Sequence, residues 1–226
     1  MTQTGIGADP ALGEPDGGTR VEENDLERLL DGYRRFRADV WPGERARYET
    51  LALKGQRPQT LVISCSDSRV DPQTVFGAGP GELFVVRNVA GLVPPYRPDP
   101  GYHGTSAALE FGVRVLKVAR IVVLGHAQCG GVRAMVEGAP GARDFVEPWM
   151  AIAESALRNI PKDMAQDDIL DHCETAVVRL SMTNLATFPW IAEAIAAGRL
   201  ELHGFRFDIH TGVLAKLEGE GFVPVA

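Results

Sequence analysis

The sequence predicts an α/β protein with a mostly parallel central sheet of about five strands. Helices flank that sheet, and a late hairpin closes one edge. Three observations predict it. TLVISC (60–65), ELFVVR (82–87) and RIVVLGH (120–126) are continuous apolar runs rich in β-branched residues. That is the pattern of strands buried on both faces of a parallel sheet. GTSAALEFGVRVLKV lies between the second and third runs and supplies the helix that a parallel crossover needs. After residue 130 the chain reads as mainly helical, until LELHGFRFDI (200–209) and GVLAKLE (212–218) form the hairpin.

Residues 1–22 are rich in Gly, Pro, Thr and Asp and carry almost nothing to bury, so a disordered tail is expected there. The rest, 23–226, reads as a single domain with N-terminal helical arms. Leu26, Leu29, Leu30, Tyr33 and Phe36 fall at helical spacing, with Asn24 or Asp25 as cap and Pro42 beyond the end. A second helix over about 44–53 stops at Gly55, and Thr105 is expected to cap the crossover helix. Further helices are expected over about 144–159, 167–186 and 189–197. GAGPG (77–81) lacks a GK[ST] ending and is a turn, not a phosphate loop.

The chain has 226 residues, 30 acidic against 23 basic, and a net charge of −7. Composition excludes collagen-like, disulfide-scaffold and wholly disordered classes. The acidic balance argues against nucleic acid, whose phosphates need clustered Lys and Arg. No membrane partner is expected either. The most apolar stretch, Phe111 to Leu124, is interrupted by Arg114, Lys117 and Arg120, and no run approaches the roughly 18 apolar residues of a span. The first residues have neither the basic start nor the apolar core of a signal peptide. Cys65, Cys129 and Cys173 are too few for a disulfide framework. They fit a reducing, cytoplasmic setting and turn attention to metal binding or catalysis.

Two buried strands end in reactive residues. TLVISC delivers Cys65, followed by Ser66, Asp67, Ser68 and Arg69. RIVVLGH delivers His126, with Cys129 three residues on and Gly130-Gly131 after it. In open parallel sheets the functional crevice lies at the carboxyl ends of the strands. A buried Cys, or a His after a strand, is by itself a packing residue. Two thiols and one imidazole converging on one crevice make a three-ligand zinc site, its fourth position open to water or substrate. Cys173 has only His172 beside it and is read as packing. His103, His172, His203 and His210 have no partner at ligand spacing.

Asp67 could ligate the metal itself or be held off it by Arg69, whose forked guanidinium fixes a carboxylate in one orientation. Zinc lowers the pKa of a bound water to around 7, and a fixed Asp could orient the resulting nucleophile.

CSDSRVDP, PGELFVVRNVAG and GHAQCGG together resemble the β-class carbonic anhydrases, and the likeness runs from about Tyr33 to Asp208. The resemblance implies a zinc lyase that reversibly hydrates carbon dioxide to bicarbonate and a proton. One Zn(2+) per subunit would be held by Cys65, His126 and Cys129, with Asp67 and Arg69 as catalytic dyad. It implies a homodimer whose N-terminal helices wrap the partner, in a family where such dimers often pair into a homotetramer. Gln56 corresponds to a substrate-facing glutamine donated across that interface. Phe84, Val89 and Phe111 correspond to an apolar pocket wall, and Gly130 could offer its backbone N–H to a substrate oxygen. One subgroup binds bicarbonate at a regulatory site through a Trp, an Arg and a Tyr. Val62 and Phe207 stand at the first and last of those positions, and Arg87 remains, so that site is expected to be lacking. Ser64 replaces a usual Gly and Gly91 a usual Asn.

Rival readings keep the metal but act on carbonyl sulfide or carbon disulfide, or dispense with catalysis as a bicarbonate sensor. A thiol redox protein would want Cys-x-x-Cys, which is missing.

Overall fold

The structure, a computed structural model, describes residues 23–161 and 163–225, so the expected tail over 1–22 lies outside the described residues. Chain contacts divide it into two compact units, one ending at Leu53 and the other beginning at Lys54.

The first unit is helical. α1 (Glu23–Arg35) passes through a π-helical segment, Phe36–Val40, into α2 (Trp41–Lys54). α1 starts ahead of both expected caps, and the chain does not stop at Pro42. Proline has no N–H to give an α-helical ladder, and the wider π turn absorbs the misfit: Trp41 N–H reaches back to the Phe36 carbonyl. Phe36, Trp41 and Tyr48 pack as an aromatic cluster across this junction, with ring centroids 4.9–6.3 Å apart.

The second unit holds a six-stranded sheet in the order β2-β1-β3-β4-β5-β6. β1 (Thr60–Cys65), β2 (Leu83–Asn88), β3 (Arg120–His126) and β4 (Glu201–Phe207) are parallel. β5 (Leu214–Glu218) and β6 (Gly221–Pro224) add antiparallel edges. The sixth strand is one more than the sequence suggested; it is four residues long and includes a Pro, too short to show a period. α3 (Pro72–Val75) lies between β1 and β2, and α4 (Gly104–Glu110), continued by a π turn to Leu116, between β2 and β3. Four helices separate β3 from β4: α5 (Gly130–Glu137), α6 (Val146–Met150) with a 3-10 extension to Asn159, α7 (Gln166–Leu185) and α8 (Pro189–Ala196). Thr105 is not a cap. It lies inside α4, where its hydroxyl accepts a hydrogen bond from Asn88 Nδ2 at 3.1 Å.

From β1 the chain crosses to β2 on one side, whereas β3 lies on the other and leads on to β4. The strand order therefore reverses at the β1/β3 pair, where a crevice opens beyond the strands' carboxyl ends. One sheet face packs Leu61, Ile63, Ile121 and Val123 against Leu109, Val178, Leu185, Phe188 and Ile191. The other packs Val62, Val70, Val122 and Leu124 against Phe76, Phe205 and Phe207. A third cluster under α5 and α7 joins Cys65 and Cys129 to Leu92, Met150, Val177 and the fully buried Cys173.

Candidate metal centre

Two loops at the switch point carry the site. The first follows β1, and Arg87 on the neighbouring β2 ties it down. Arg87 Nε donates to the Cys65 carbonyl at 2.9 Å, and Nη2 donates to the carbonyls of Asp67 at 2.7 Å and Val70 at 3.0 Å. Val70 is fully buried, so the loop turns back into the core after Arg69. The second loop follows β3. Ala127 N–H donates to the Phe207 carbonyl, Gln128 adopts a left-handed φ of 56°, and Cys129 caps α5. Arg69 Nη2 joins the two loops through the Gln128 carbonyl at 2.8 Å.

Cys65, His126 and Cys129 are all buried, and their donor atoms lie within 4.8 Å of one another. The two sulfurs are 3.8 Å apart. Two thiolates about 2.3 Å from one zinc at a tetrahedral angle would have about that separation. His126 Nδ1 lies 2.8 Å from the Ala127 carbonyl, so a proton there donates to it and leaves Nε2 with a free lone pair. Nε2 is buried with no hydrogen-bond partner among the described residues. An orphaned imidazole nitrogen beside two free thiols fits a zinc ion.

The electrostatics agree. Hydrogen bonding to Cys129 pulls the Cys65 thiol down to about 4, aided by His126 and the Asp67 N–H against the cost of burial. The same contact, with burial adding to it, pushes Cys129 well above the ordinary thiol range. The pair would thus carry one negative charge readily, and a bound cation would favour loss of the second proton. Burial pulls His126 down, but the Cys65 sulfur and Asp67 outweigh it and the net shift is upward.

Asp67 sits in a fork. Arg69 donates from its backbone N–H and Nε to Oδ1, both at 2.9 Å, and from Nη2 to Oδ2 at 2.7 Å. These bonds hold the Asp67 carboxyl down at about 2 against partial burial. Oδ2 lies 3.9 Å from His126 Nε2.

The remaining sequence-predicted residues divide. Val89 packs on the cluster that contains Cys65 and Cys129, and a Cβ added to Gly131 would meet Val89 Cγ1 at 2.6 Å. Phe84 and Phe111 stack on each other, ring centroids 5.8 Å apart, and Phe84 packs on the opposite cluster around Leu61. Within one chain, no described contact brings that pair to the three ligands. Gly130 opens α5 beside Cys129, and Gln56 is exposed ahead of β1. Sequence reasoning missed Glu174 and Arg206. Glu174 accepts the Cys129 N–H, and Arg206 pairs with Glu174. A charged residue on the inward stripe of α7, level with Cys173 and Val177, was the available signal.

Three buried ligands on adjacent strand ends, one short of a tetrahedron, define a zinc site of the catalytic type in a parallel α/β sheet. The family model for carbonic anhydrase matches residues 60–214. A carbonic anhydrase of Pseudomonas aeruginosa is 39% identical over 197 residues, covering 86% of this chain and 88% of that protein. Beta carbonic anhydrase 5, chloroplastic, of Arabidopsis thaliana is 35% identical over 207 residues, 88% of this chain and 68% of the relative. Among solved structures, the β-carbonic anhydrase CcaA superposes with a TM-score of 0.83 at 29% identity, covering 89% of this chain and 100% of the other. A tetrameric β-carbonic anhydrase of Sordaria macrospora superposes with a TM-score of 0.77 at 29% identity, covering 90% of this chain and 100% of the other. The chain belongs to the carbonic anhydrase family, in its β class. It is thereby a carbonate dehydratase, a zinc enzyme.

Proposed function

We propose that Asp67, held by Arg69, orients the water that attacks carbon dioxide, and that the protein acts as a homodimer or as a homotetramer, a dimer of dimers. The observation that carries the first part is the fork. Oδ1 already accepts two donors and Oδ2 one, so an acceptor position remains on Oδ2, the oxygen 3.9 Å from His126 Nε2. Cys65, His126 and Cys129 would hold zinc, which supplies a nucleophile near neutral pH by lowering the pKa of water to around 7. An ionised Asp67 can only accept a hydrogen bond. It therefore holds the attacking water with a proton toward itself and a lone pair toward the substrate.

Val89 beside the ligands, and Phe84 with Phe111, would form the apolar wall that takes a small nonpolar molecule. A wall of this kind admits carbon dioxide and excludes bulk water. Gly130 N–H at the start of α5 and Gln56 would bind substrate oxygens. In this reading Gln56, and with it the Phe84–Phe111 pair, reaches the metal of the other subunit. Two buried thiolate ligands suit a reducing compartment, in keeping with a cytoplasmic setting. Among the described residues no helix is long and apolar enough to cross a membrane.

The reading that no regulatory bicarbonate site operates is supported by Arg87, whose Nε and Nη2 donate to loop carbonyls and whose Nη1 donates to Asp71 Oδ1 at 3.5 Å, and by Val70 packing with Val62 and Phe207. Bicarbonate lodged beside Arg87 in a crystal would overturn it.

Stopped-flow hydration tests the dyad. The zinc-replete Asp67→Asn variant should lose on the order of 10²-fold in kcat, the cost of a misplaced reactant. Undiminished hydration by that variant defeats the dyad's role, whereas a zinc-replete wild type that hydrates carbonyl sulfide but not carbon dioxide defeats the substrate.

A further inference from the structure

The inward stripe of α7 comprises Cys173, Glu174, Val177, Val178 and Ser181, each at most 3% exposed. Glu174 is the charged member of this stripe, and burying an ionised carboxylate is costly unless it is paired and hydrogen-bonded. Its two oxygens have separate partners. Oε1 accepts the Cys129 backbone N–H at 3.0 Å, and Oε2 accepts Arg206 Nη2 at 3.1 Å. Arg206 lies on β4 in register with Gly125 of β3, and it also pairs with Asp171, one turn earlier on α7. The carboxylate is therefore braced by β4 and α7 on one side and aimed at the amide of a ligand residue on the other.

That amide needs an acceptor. Cys129 has an extended backbone (φ −73°, ψ 117°) where it caps α5, so its N–H lies outside the helix's own ladder. A buried N–H without a partner costs about as much as a lost hydrogen bond. The preceding residue, Gln128, is in the left-handed region, which persists in a non-glycine residue only where its surroundings hold it. Arg69 holds the turn from one side through the Gln128 carbonyl, and Glu174 holds it from the other through the next amide.

We infer that Glu174, braced by Arg206, is a positioning residue that fixes the Ala127–Cys129 turn and so sets how tightly the Cys129 sulfur holds the metal. The inference rests on the reading that Cys65, His126 and Cys129 bind zinc. It assigns the effect to the reach of Oε1 rather than to charge, and two substitutions separate these. Glu174→Gln keeps an oxygen at the same reach for the Cys129 N–H, loses the charge, and turns an NH2 donor toward Arg206, which keeps its pairing with Asp171. Glu174→Asp keeps the charge for Arg206 and falls short of Cys129 by one methylene.

Zinc affinity is measured by competition with a chromogenic chelator, and the cobalt-substituted proteins report the thiolate-to-metal absorption bands. Circular dichroism and thermal melts confirm that each variant is folded. Glu174→Asp should raise the zinc dissociation constant about 10–100-fold and shift the cobalt bands, while Glu174→Gln stays close to the wild type. Wild-type affinity and spectrum in Glu174→Asp overturn the inference. So does a loss in Glu174→Gln that equals or exceeds it, because charge and not reach would then decide. A folded wild type that takes up no cobalt removes the metal reading itself, and this inference with it.

Discussion

At the scale of single residues, the role proposed for Asp67 rests on how its carboxylate is held. Arg69's hydrogen bonds keep its carboxyl down at about 2, against an ordinary aspartate near 3.9. A depressed carboxylate contributes its stabilisation above the ordinary value and loses it as pH falls through the lowered one. Asp67 therefore stays ionised throughout the neutral range, and its pairing fails only between about pH 4 and pH 2. Hydration rates followed from pH 6 to 9 should show no ionisation belonging to Asp67. An acid limb that is present in wild type and absent from the residual activity of Asp67→Asn would contradict this. The three metal-site residues were legible because two buried strands deliver them to one crevice, and the Asp67–Arg69 pair because it follows the first of those strands directly. Glu174 was not, because its partners Cys129 and Arg206 are remote in the chain and only the fold joins them.

At the scale of elements, β1 and β3 begin and end where the apolar runs do. Strands buried on both faces read as near-continuous apolar runs, which makes their limits plain. Apart from the short β6, the misjudged features involve competition. Pro42 reads as a helix stop until a π turn accommodates it, and Thr105 reads as a cap until Asn88 claims its hydroxyl. The start of α5 is a close fit of a kind no pattern reveals. A Cβ on Gly131 would lie 2.6 Å from Val89 Cγ1 and 3.1 Å from Ala90 N, whereas one on Gly130 would meet nothing within 4 Å. Gly131→Ala must push the 3-10 turn at Val89–Gly91 away from the helix that Cys129 caps. It should cost about 1–3 kcal/mol. That corresponds to a fall in Tm of roughly 2–4 °C per kcal/mol for a chain of this size. The neighbouring Gly130→Ala should melt within experimental error of wild type. Melts of the two zinc-loaded variants side by side check the claim, and equal Tm values sink it.

At the scale of the whole molecule, each unit leaves apolar surface that a single chain does not cover. On α1, Leu26 is 61% exposed, Leu29 72% and Tyr33 59%, and they share one face at helical spacing. On the larger unit, β2 is an edge strand of Leu, Phe and Val, with Phe111 and Val115 exposed on the segment after α4. An uncovered apolar edge invites pairing with another chain, and patches of this kind mark interaction surfaces. In the proposed assembly a second copy is the occupant that would also bring Gln56 and the Phe84–Phe111 pair to a metal centre; among the described contacts none joins them to the three ligands of their own chain. Leu29→Glu separates a covered face from a bare one. At a site 72% exposed in one protomer, the substitution should change protomer stability by no more than about 0.5 kcal/mol. If another chain covers it, analytical ultracentrifugation will show a loss of the dimer or tetramer, and hydration per zinc will fall in step because the shared residues leave with the partner. A Leu29→Glu variant that keeps the wild-type mass would free this face of any role in assembly. One that becomes monomeric yet hydrates carbon dioxide at the wild-type rate would show each active site to be complete within a single chain.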